Sequence, residues 1–295
     1  MTAEATFLTG QPVVDGLVKL LDLEAIEQDI FRGVSPKVET QRVFGGQVAG
    51  QALVAATRTI EAGRTVHSLH SYFIRPGDPS IPIVYTVERI RDGRSFSVRR
   101  VTAIQHGLPI FTLSASFQLE QGGIDHQRAM PDVPAPEELP TLAERLAGFD
   151  ELEGFLRRLP QAFDIRYVDD PPWVQRNLGP RENQPHRIWM KADGTLPDDP
   201  TLHICVITFA SDLNLLDSVL IHHGMAARLD PVGIASLDHA MWFHRRFRAD
   251  EWFLYESSSP SASGGRGLAT GRFFARDGRL VVSVAQEGMI RLPNA

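Results

Sequence analysis

Three polar side chains stand at places in the second half of the chain where apolar ones would be expected: Asp212, Ser236 and Gln286. A carboxylate, a hydroxyl and a primary amide brought together could hold a water and take a proton from it. Asp212 draws attention first. The stretch Thr208 to Gly224, T-F-A-S-D-L-N-L-L-D-S-V-L-I-H-H-G, reads as one helix, with Ser211 as its N-cap and Gly224 ending it. Leu215, Leu216 and Val219 recur at helical spacing, and Asp212, three, four and seven residues earlier, shares their face. A carboxylate on an apolar face is costly unless it is hydrogen-bonded or put to use. In a first turn, free N–H groups and the positive end of the dipole would offset part of that cost. Ser236 opens the apolar strand I-A-S-L-D-H-A-M-W-F, and Gln286 ends the apolar strand L-V-V-S-V-A-Q. Taken singly, each also fits a plain structural role: a dipole partner, a satisfied strand hydroxyl, a strand-end cap. Spacing alone does not make the three converge.

Other chemistries find little support. Gly93-Arg94-Ser95-Phe96-Ser97 lacks the final glycine of a nucleophile elbow, and H-E-x-x-H, G-x-x-x-x-G-K-[ST] and G-x-G-x-x-G patterns do not occur. The ten histidines, His222-His223, His239 and His244 among them, lack a convincing set of carboxylate partners, so no metal is expected. No cofactor is implied either. Cys205, the single cysteine, excludes an internal disulfide and a cysteine-based metal site. It fits a reducing compartment. The net charge of −6, without a long Lys/Arg cluster, argues against nucleic acid as a partner. No 18-residue apolar run is present, so no membrane span is expected. The N-terminus M-T-A-E-A-T-F has no signal-peptide pattern, and the C-terminus R-L-P-N-A is not a peroxisomal address. The expected setting is cytoplasmic.

The elements that must position these residues follow from periodicity. With 295 residues, 43% of them apolar and 22% charged, the chain can bury a sizeable core as one large domain or two ordinary ones. Residues 13–26 carry a helical rhythm. Phe44–Thr57, F-G-G-Q-V-A-G-Q-A-L-V-A-A-T, is a small-residue helix that other backbone can approach closely. Ser68–Ile74, Ile83–Arg91, Ser95–Ile104 and Ile110–Gln118 follow as an antiparallel meander, with hairpin signals at Asp92-Gly93 and His106-Gly107. Eleven of the 20 prolines lie between Pro131 and Pro200, which marks linking structure. Within it, Leu142–Leu159 reads as a connecting helix, Phe163–Val168 and Arg187–Ala192 as short strands, and Pro171-Pro172-Trp173 as part of a loop. Ile234–Phe243, Trp252–Ser258, Gly267–Ala275 and Leu280–Gln286 then read as strands, with a Ser/Gly-rich break at Ser259–Gly265.

The second set repeats the first. Tyr72-Phe73 matches Trp242-Phe243 at an offset of 170, Gly93-Arg94 matches Gly265-Arg266 at 172, and Gly107 matches Gly278 at 171. Phe44 is aligned with Phe209 at 165, which sets Gln47 opposite Asp212, and the offset of 171 sets Ala115 opposite Gln286. Near-constant offsets across separate elements predict a duplicated unit of helix plus antiparallel sheet. The expected divisions are residues 1–120, a linker at 121–160, and residues 161–295 carrying the reactive groups.

Several segments together resemble the type II acyl-CoA thioesterases. They are V-F-G-G-Q-V-A-G-Q-A-L (Val43–Leu53), V-H-S-L-H-S-Y-F-I-R-P-G-D (Val66–Asp78), R-D-G-R-S-F-S-V-R-R-V (Arg91–Val101), S-D-L-N-L-L (Ser211–Leu216), D-H-A-M-W-F-H-R (Asp238–Arg245) and Q-E-G-M-I-R (Gln286–Arg291). The resemblance covers nearly the whole chain. It implies an α+β double hotdog: two tandem copies of a long helix wrapped by an antiparallel sheet. It also implies a catalytic trio at Asp212, Ser236 and Gln286, with serine at a position that family members fill with Thr or Ser. The implied reaction is hydrolysis of a fatty acyl-CoA to free acid and CoA by an activated water. Dimers or tetramers are the implied assembly. A hotdog enoyl-CoA hydratase and a non-catalytic acyl-CoA-binding protein are the alternatives.

Overall fold

The computed structural model describes residues 7–36, 42–157, 159–227 and 229–292. The readings made on the first six residues and on Pro293–Ala295 lie outside them. In chain order the elements of the first half are α1 (Gln11–Leu21), β1 (Glu24–Glu27), β2 (Ile30–Gly33), α2 (Gly45–Thr57), β3 (Arg64–Phe73), β4 (Ile83–Asp92), β5 (Phe96–Gln105) and β6 (Leu108–Leu119). Two short helices, α3 (Leu142–Leu146) and α4 (Asp150–Leu156), follow. The second half has β7 (Phe163–Tyr167), α5 (Pro172–Leu178), β8 (His186–Ala192), α6 (Pro200–Ser211), α7 (Asp217–His222), β9 (Gly233–Ser236), β10 (Asp238–Phe243), β11 (Phe253–Ser263), β12 (Arg266–Ala275) and β13 (Leu280–Arg291).

Among the described residues, thirteen strands join one antiparallel sheet in the order β1-β2-β4-β5-β6-β3-β10-β13-β12-β11-β8-β7, with β9 paired on β13. The order is mirrored about the β3–β10 pair, where Leu69 faces Met241 and His70 faces Ala240. Each half therefore supplies two short strands, a helix and a meander, and the duplication is plain in the topology. This is the double hotdog that the resemblance implies.

Small residues decide where the two central helices lie. α2 is buried on all sides from Gly46 to Ala56. Its glycines let the backbone of α6 come close: a β-carbon on Gly46 would stand 2.3 Å from the Phe209 carbonyl oxygen, and one on Gly50 3.3 Å from that of Cys205. Contacts that advance along α2 while retreating along α6 make the helices antiparallel. The start of α2 thus lies against the end of α6.

The structure corrects several expectations. Thr208–Gly224 is not one helix. α6 begins at Pro200, with the Asp199 carboxylate accepting from the Thr201 N–H at 2.9 Å, and Asp212 closes it as the C-cap. A turn then leads into α7. The true start was hidden because T-L-H-I-C-V-I-T-F-A is rich in β-branched residues and buried nearly all round, which leaves no polar face to reveal the period. Phe44 and Phe209 are not equivalent: Phe44 caps the start of α2, Phe209 lies in the last turn of α6, and their rings meet edge-on at 5.0 Å. The C-cap of α2 is Arg58, so Arg58, not Gln47, stands where Asp212 does. The strand offsets do hold: Ala115 pairs with Arg99 as Gln286 pairs with Ala269. The offset changes because α2 and β3 are joined by residues 58–63, whereas residues 212–232 separate α6 from β9.

Smaller differences follow local rules. The first helix stops at Leu21, and Glu24–Glu27 pairs with β2 instead of continuing it. Leu142–Leu159 is broken at Gly148, which adopts a left-handed φ of 88°. Pro171-Pro172-Trp173 is the start of α5, not a loop, with Pro172 in the first turn, where its missing N–H is not needed. Ser259–Ser263 continues β11 past a bulge, and the turn sits at Gly264-Gly265. Ile234–Phe243 splits into β9 and β10 at Leu237.

The helix contact yields a test. Gly46→Ala places its methyl group on backbone that cannot swing away, so it should cost about 2–4 kcal/mol of stability. Urea unfolding followed by circular dichroism would show the midpoint falling. An unchanged midpoint would mean that the helices do not touch there.

Candidate active site

Asp212, Ser236 and Gln286 come together at the end of α6. β9 and β13 pair with Ser236 opposite Gly288, and Gln286 lies two residues along the same strand face. Gln286 is buried, and its Nε2 donates to Asp212 Oδ1 at 2.8 Å and to Ser236 Oγ at 2.6 Å. The Ser236 hydroxyl donates to the same Asp212 Oδ1 at 3.1 Å. Gly288 makes room for the turn that carries Asp212, since a β-carbon there would come within 2.6 Å of Leu216.

A fourth residue was missed from sequence. His239, buried on β10, places Nδ1 2.8 Å from Gln286 Oε1 and Nε2 2.8 Å from Ser211 Oγ. With both Gln286 amide hydrogens spent on Asp212 and Ser236, Oε1 must accept, so Nδ1 of His239 carries the proton. His239 was set aside because no carboxylate partner was apparent; its partner is an amide. Strand alternation was the available signal, for it turns His239 inward together with buried Met241 while Trp242 points out.

The other oxygen of Asp212 faces the first half of the chain. Oδ2 lies 2.7 Å from where a β-carbon on Gly45 would be, at the N-terminus of α2. Free N–H groups and a positive dipole end were expected for Asp212 from its own helix. It sits instead at the carbonyl end of α6, and α2 supplies both features. Beside the site is a cavity of about 710 Å³, lined by Leu17, Phe163, Trp173, Phe209 and Leu213 among others. Leu213 adjoins Asp212 in the chain.

Comparison with known proteins identifies the family. A family model described as acyl-CoA thioesterase matches residues 157–289, and one described as acyl-CoA thioesterase N-terminal domain matches residues 34–118. Human acyl-coenzyme A thioesterase 8 is 42% identical over 92% of this chain and 88% of its own length. The crystal structure of an acyl-CoA thioesterase II from Mycobacterium marinum superposes with a TM-score of 0.76 at 46% identity, covering 93% of this chain and 98% of that one. A hot dog fold protein from Alicyclobacillus acidocaldarius, 20% identical, matches the fold with a TM-score of 0.77 over 94% of this chain and 98% of that one. The chain belongs to the acyl-CoA thioesterase family.

The electrostatics of this thioesterase's site are those of a half-buried, well-held carboxylate. Burial raises Asp212 above the ordinary carboxylate range, while His239, Gln286, Ser236 and the Gly46 N–H pull it back. Burial lowers His239, in keeping with a neutral ring, and Asp212 opposes that shift. Among the described residues no group of three or more His, Cys, Asp or Glu side chains could hold a metal ion, and no helix is long and apolar enough to cross a membrane.

A carboxyl group whose native pKa is raised above its unfolded value favours folding while it is protonated. That contribution is lost as pH climbs from the unfolded toward the folded pKa. Once ionised, Asp212 therefore weakens the fold. Asp212→Asn keeps an oxygen to accept from Gln286 and Ser236, so its melting midpoint at pH 7 should equal or exceed that of the wild type, by up to a few degrees. A clearly lower midpoint in calorimetry would show that the charge stabilises the fold.

Proposed function

We propose that Asp212 is the general base of acyl-CoA hydrolysis in this thioesterase, acting on a water that attacks the thioester carbonyl of a fatty acyl-CoA. The observation that carries the reading is the asymmetry of its carboxylate. Oδ1 is fixed by two donors, from Gln286 and Ser236. Oδ2 is turned to the start of α2.

On this reading the acyl chain lies in the apolar cavity and the thioester carbonyl faces the N-terminus of α2. A water on Oδ2 gives its proton to Asp212 as its oxygen bonds to the carbonyl carbon. The carbonyl oxygen becomes an oxyanion, and first-turn N–H groups of α2 other than that of Gly46, which is given to Asp212, stabilise it. Collapse of the tetrahedral intermediate breaks the C–S bond, and the departing CoA thiolate takes the proton back from Asp212. General-base help of this kind is worth roughly 10²–10⁴-fold, and one oxyanion donor on the order of 10²–10³-fold.

Gln286 and Ser236 act here on Asp212 rather than on the water, because both amide hydrogens and the hydroxyl proton are already committed. His239 holds the Gln286 amide in the donating orientation. The hydratase alternative wanted an aspartate and histidine in direct partnership; His239 reaches Gln286, not Asp212. The two repeats, at residues 1–120 and 161–295 with 121–160 linking them, divide the site between them on this reading. Association of copies is supported by exposed Tyr72 and Trp242 on the two central strands, and a cytoplasmic setting by the free, buried Cys205.

Thiol release from acyl-CoAs of short to long chain tests the base. Asp212→Asn should lower kcat by at least about 10²-fold while remaining folded. Near-normal turnover would overturn the assignment. The pH profile gives an independent check. The base must be ionised, so kcat/KM should rise with pH through a limb above the ordinary aspartate value of about 3.9. Gln286→Ala and Ser236→Ala each remove a donor to the ionised form, so both should move the limb to higher pH. A limb unmoved in both would detach the two residues from Asp212.

A further inference from the structure

A second cavity, of about 680 Å³ against about 710 Å³ for the first, lies at the other end of the helix pair. The duplication says what it is. The offset of 170 carries Val66 onto Ser236, and that of 171 carries Ala115 onto Gln286 and Phe117 onto Gly288. The pairing agrees: Val66 faces Phe117 beside a shift of register between β3 and β6, as Ser236 faces Gly288 where β9 gives way to β10. Arg58 already stands where Asp212 does, and Arg58, Val66 and Phe117 all line this cavity. It is therefore the first copy's counterpart of the active site. The carboxylate, hydroxyl and amide are replaced there by a guanidinium and two apolar side chains, those of Arg58, Val66 and Ala115. The space has been kept although the water-holding set has not.

Its lining combines an apolar wall with cations. Leu21, Val54, Val66, Phe117 and Leu202 form part of the wall. The carboxylates around it are all engaged. Asp22 pairs with Arg58, and Glu61 lies 3.7 Å from Arg64. Asp199 accepts from the Thr201 N–H, and Asp15 from the Gln11 amide. The donors are not all engaged. Lys19 lies between the two cavities, lines both, and has no carboxylate partner among the described residues. Arg64 also lines the second, with its side chain 8% exposed and its Nη1 without a hydrogen-bond partner. Arg58 donates to the Leu23 carbonyl and to Asp22, which leaves further N–H groups on its guanidinium.

We propose that this cavity is a second, non-hydrolytic binding site that takes the carboxylate of a long-chain fatty acid. Arg58 and Lys19 meet the carboxylate, and the chain lies along the apolar wall. Hydrolysis of a fatty acyl-CoA releases an anion of this class, so the ligand is the kind of product that the other cavity makes. The proposal does not depend on the role given to Asp212. A single negative charge is the best match to the uncommitted donors. A CoA ester brings several phosphate charges, which Asp15, Asp22, Glu61 and Asp199 repel. A long-chain alcohol lacks the charge that makes a hydrogen bond from a cation strong. A long-chain amine meets Lys19 and Arg58 with like charge.

Calorimetric titration with laurate tests it, after the acyl cavity has been filled with the non-hydrolysable thioether dodecyl-CoA. The filled wild type should still bind laurate at a single further site, and dodecan-1-ol about tenfold or more weakly than laurate. Arg58→Gln and Lys19→Gln, each checked for folding by circular dichroism, should weaken laurate by about tenfold or more. Absence of laurate binding to the filled wild type would overturn the proposal. So would dodecan-1-ol bound as tightly as laurate, or an unchanged laurate affinity in Arg58→Gln. If Arg58→Gln does not fold, Lys19→Gln decides in its place. Thioether that fills both cavities and shuts laurate out would overturn it too, since the second cavity would then prefer the CoA ester. If the thioether does not bind, the acyl-CoA reading of the first cavity fails by itself. The titrations are then made without it, and a laurate affinity unmoved in the variants removes the carboxylate site, whereas a tenfold loss keeps it.

Discussion

The structure turns on holding one carboxyl group, Asp212, among donors that favour its charged form. Asp212 sits at the carbonyl end of its own helix, where the dipole works against a negative charge. It is half-buried, and its loss of solvent works against the charge as well. The fold answers with donors from three directions: the Gln286 amide on β13, the Ser236 hydroxyl on β9, and the first turn of α2. Each direction needs its own piece of architecture. The amide needs His239 to orient it, the hydroxyl needs the β9–β13 register, and the helix start needs glycines that let α2 lie on α6.

The duplication shows what is special about this end of the molecule. α2 closes with Arg58, which donates to the Leu23 carbonyl and pairs with Asp22. A cation at a helix C-terminus is the ordinary, favourable choice. Asp212 is the opposite choice at the same place in the second copy. Ala115 stands where Gln286 does, so the first copy also lacks the amide. One end of the antiparallel helix pair thus keeps a dipole-satisfied basic residue, and the other keeps a carboxylate that its own helix disfavours. A position that breaks the local rule and is held by donors from elsewhere in the fold is where chemistry is to be sought.

Much of this was legible in the sequence, for uneven reasons. The meanders were readable because half-buried strands alternate, and the duplication because offsets near 171 recur across several elements. α6 was not readable from its own pattern, since a helix buried nearly all round carries no polar stripe. That error misplaced Asp212 by a whole helix and supplied the wrong source for its stabilising N–H groups. Asp212 was still singled out, because a carboxylate among leucines is anomalous whichever end of the helix it occupies. The trio's convergence depends on strand register across long sequence separations, which local spacing does not encode. His239 escaped because its partner is an amide, whereas a search for reactive histidines looks for carboxylates.

The turn from Leu213 to Leu216 links the two unusual carboxylates of the second copy, Asp212 and Asp217. They differ in how their charge is held. Asp212 has several donors and one oxygen fixed by two of them, so its position is set before any substrate arrives. Asp217 has a single donor on its side chain, from a residue in the turn itself. Leu215 is fully buried, and Leu216 fills the space left by Gly288, so the turn is pinned to β13, the strand that bears Gln286. A shift of this turn would move Asp212, the wall of the cavity and the contact with Gly288 together. Asp212 and Asp217 are therefore mechanically coupled through the four residues between them, and the missing side chain of Gly288 is what lets that coupling be rigid.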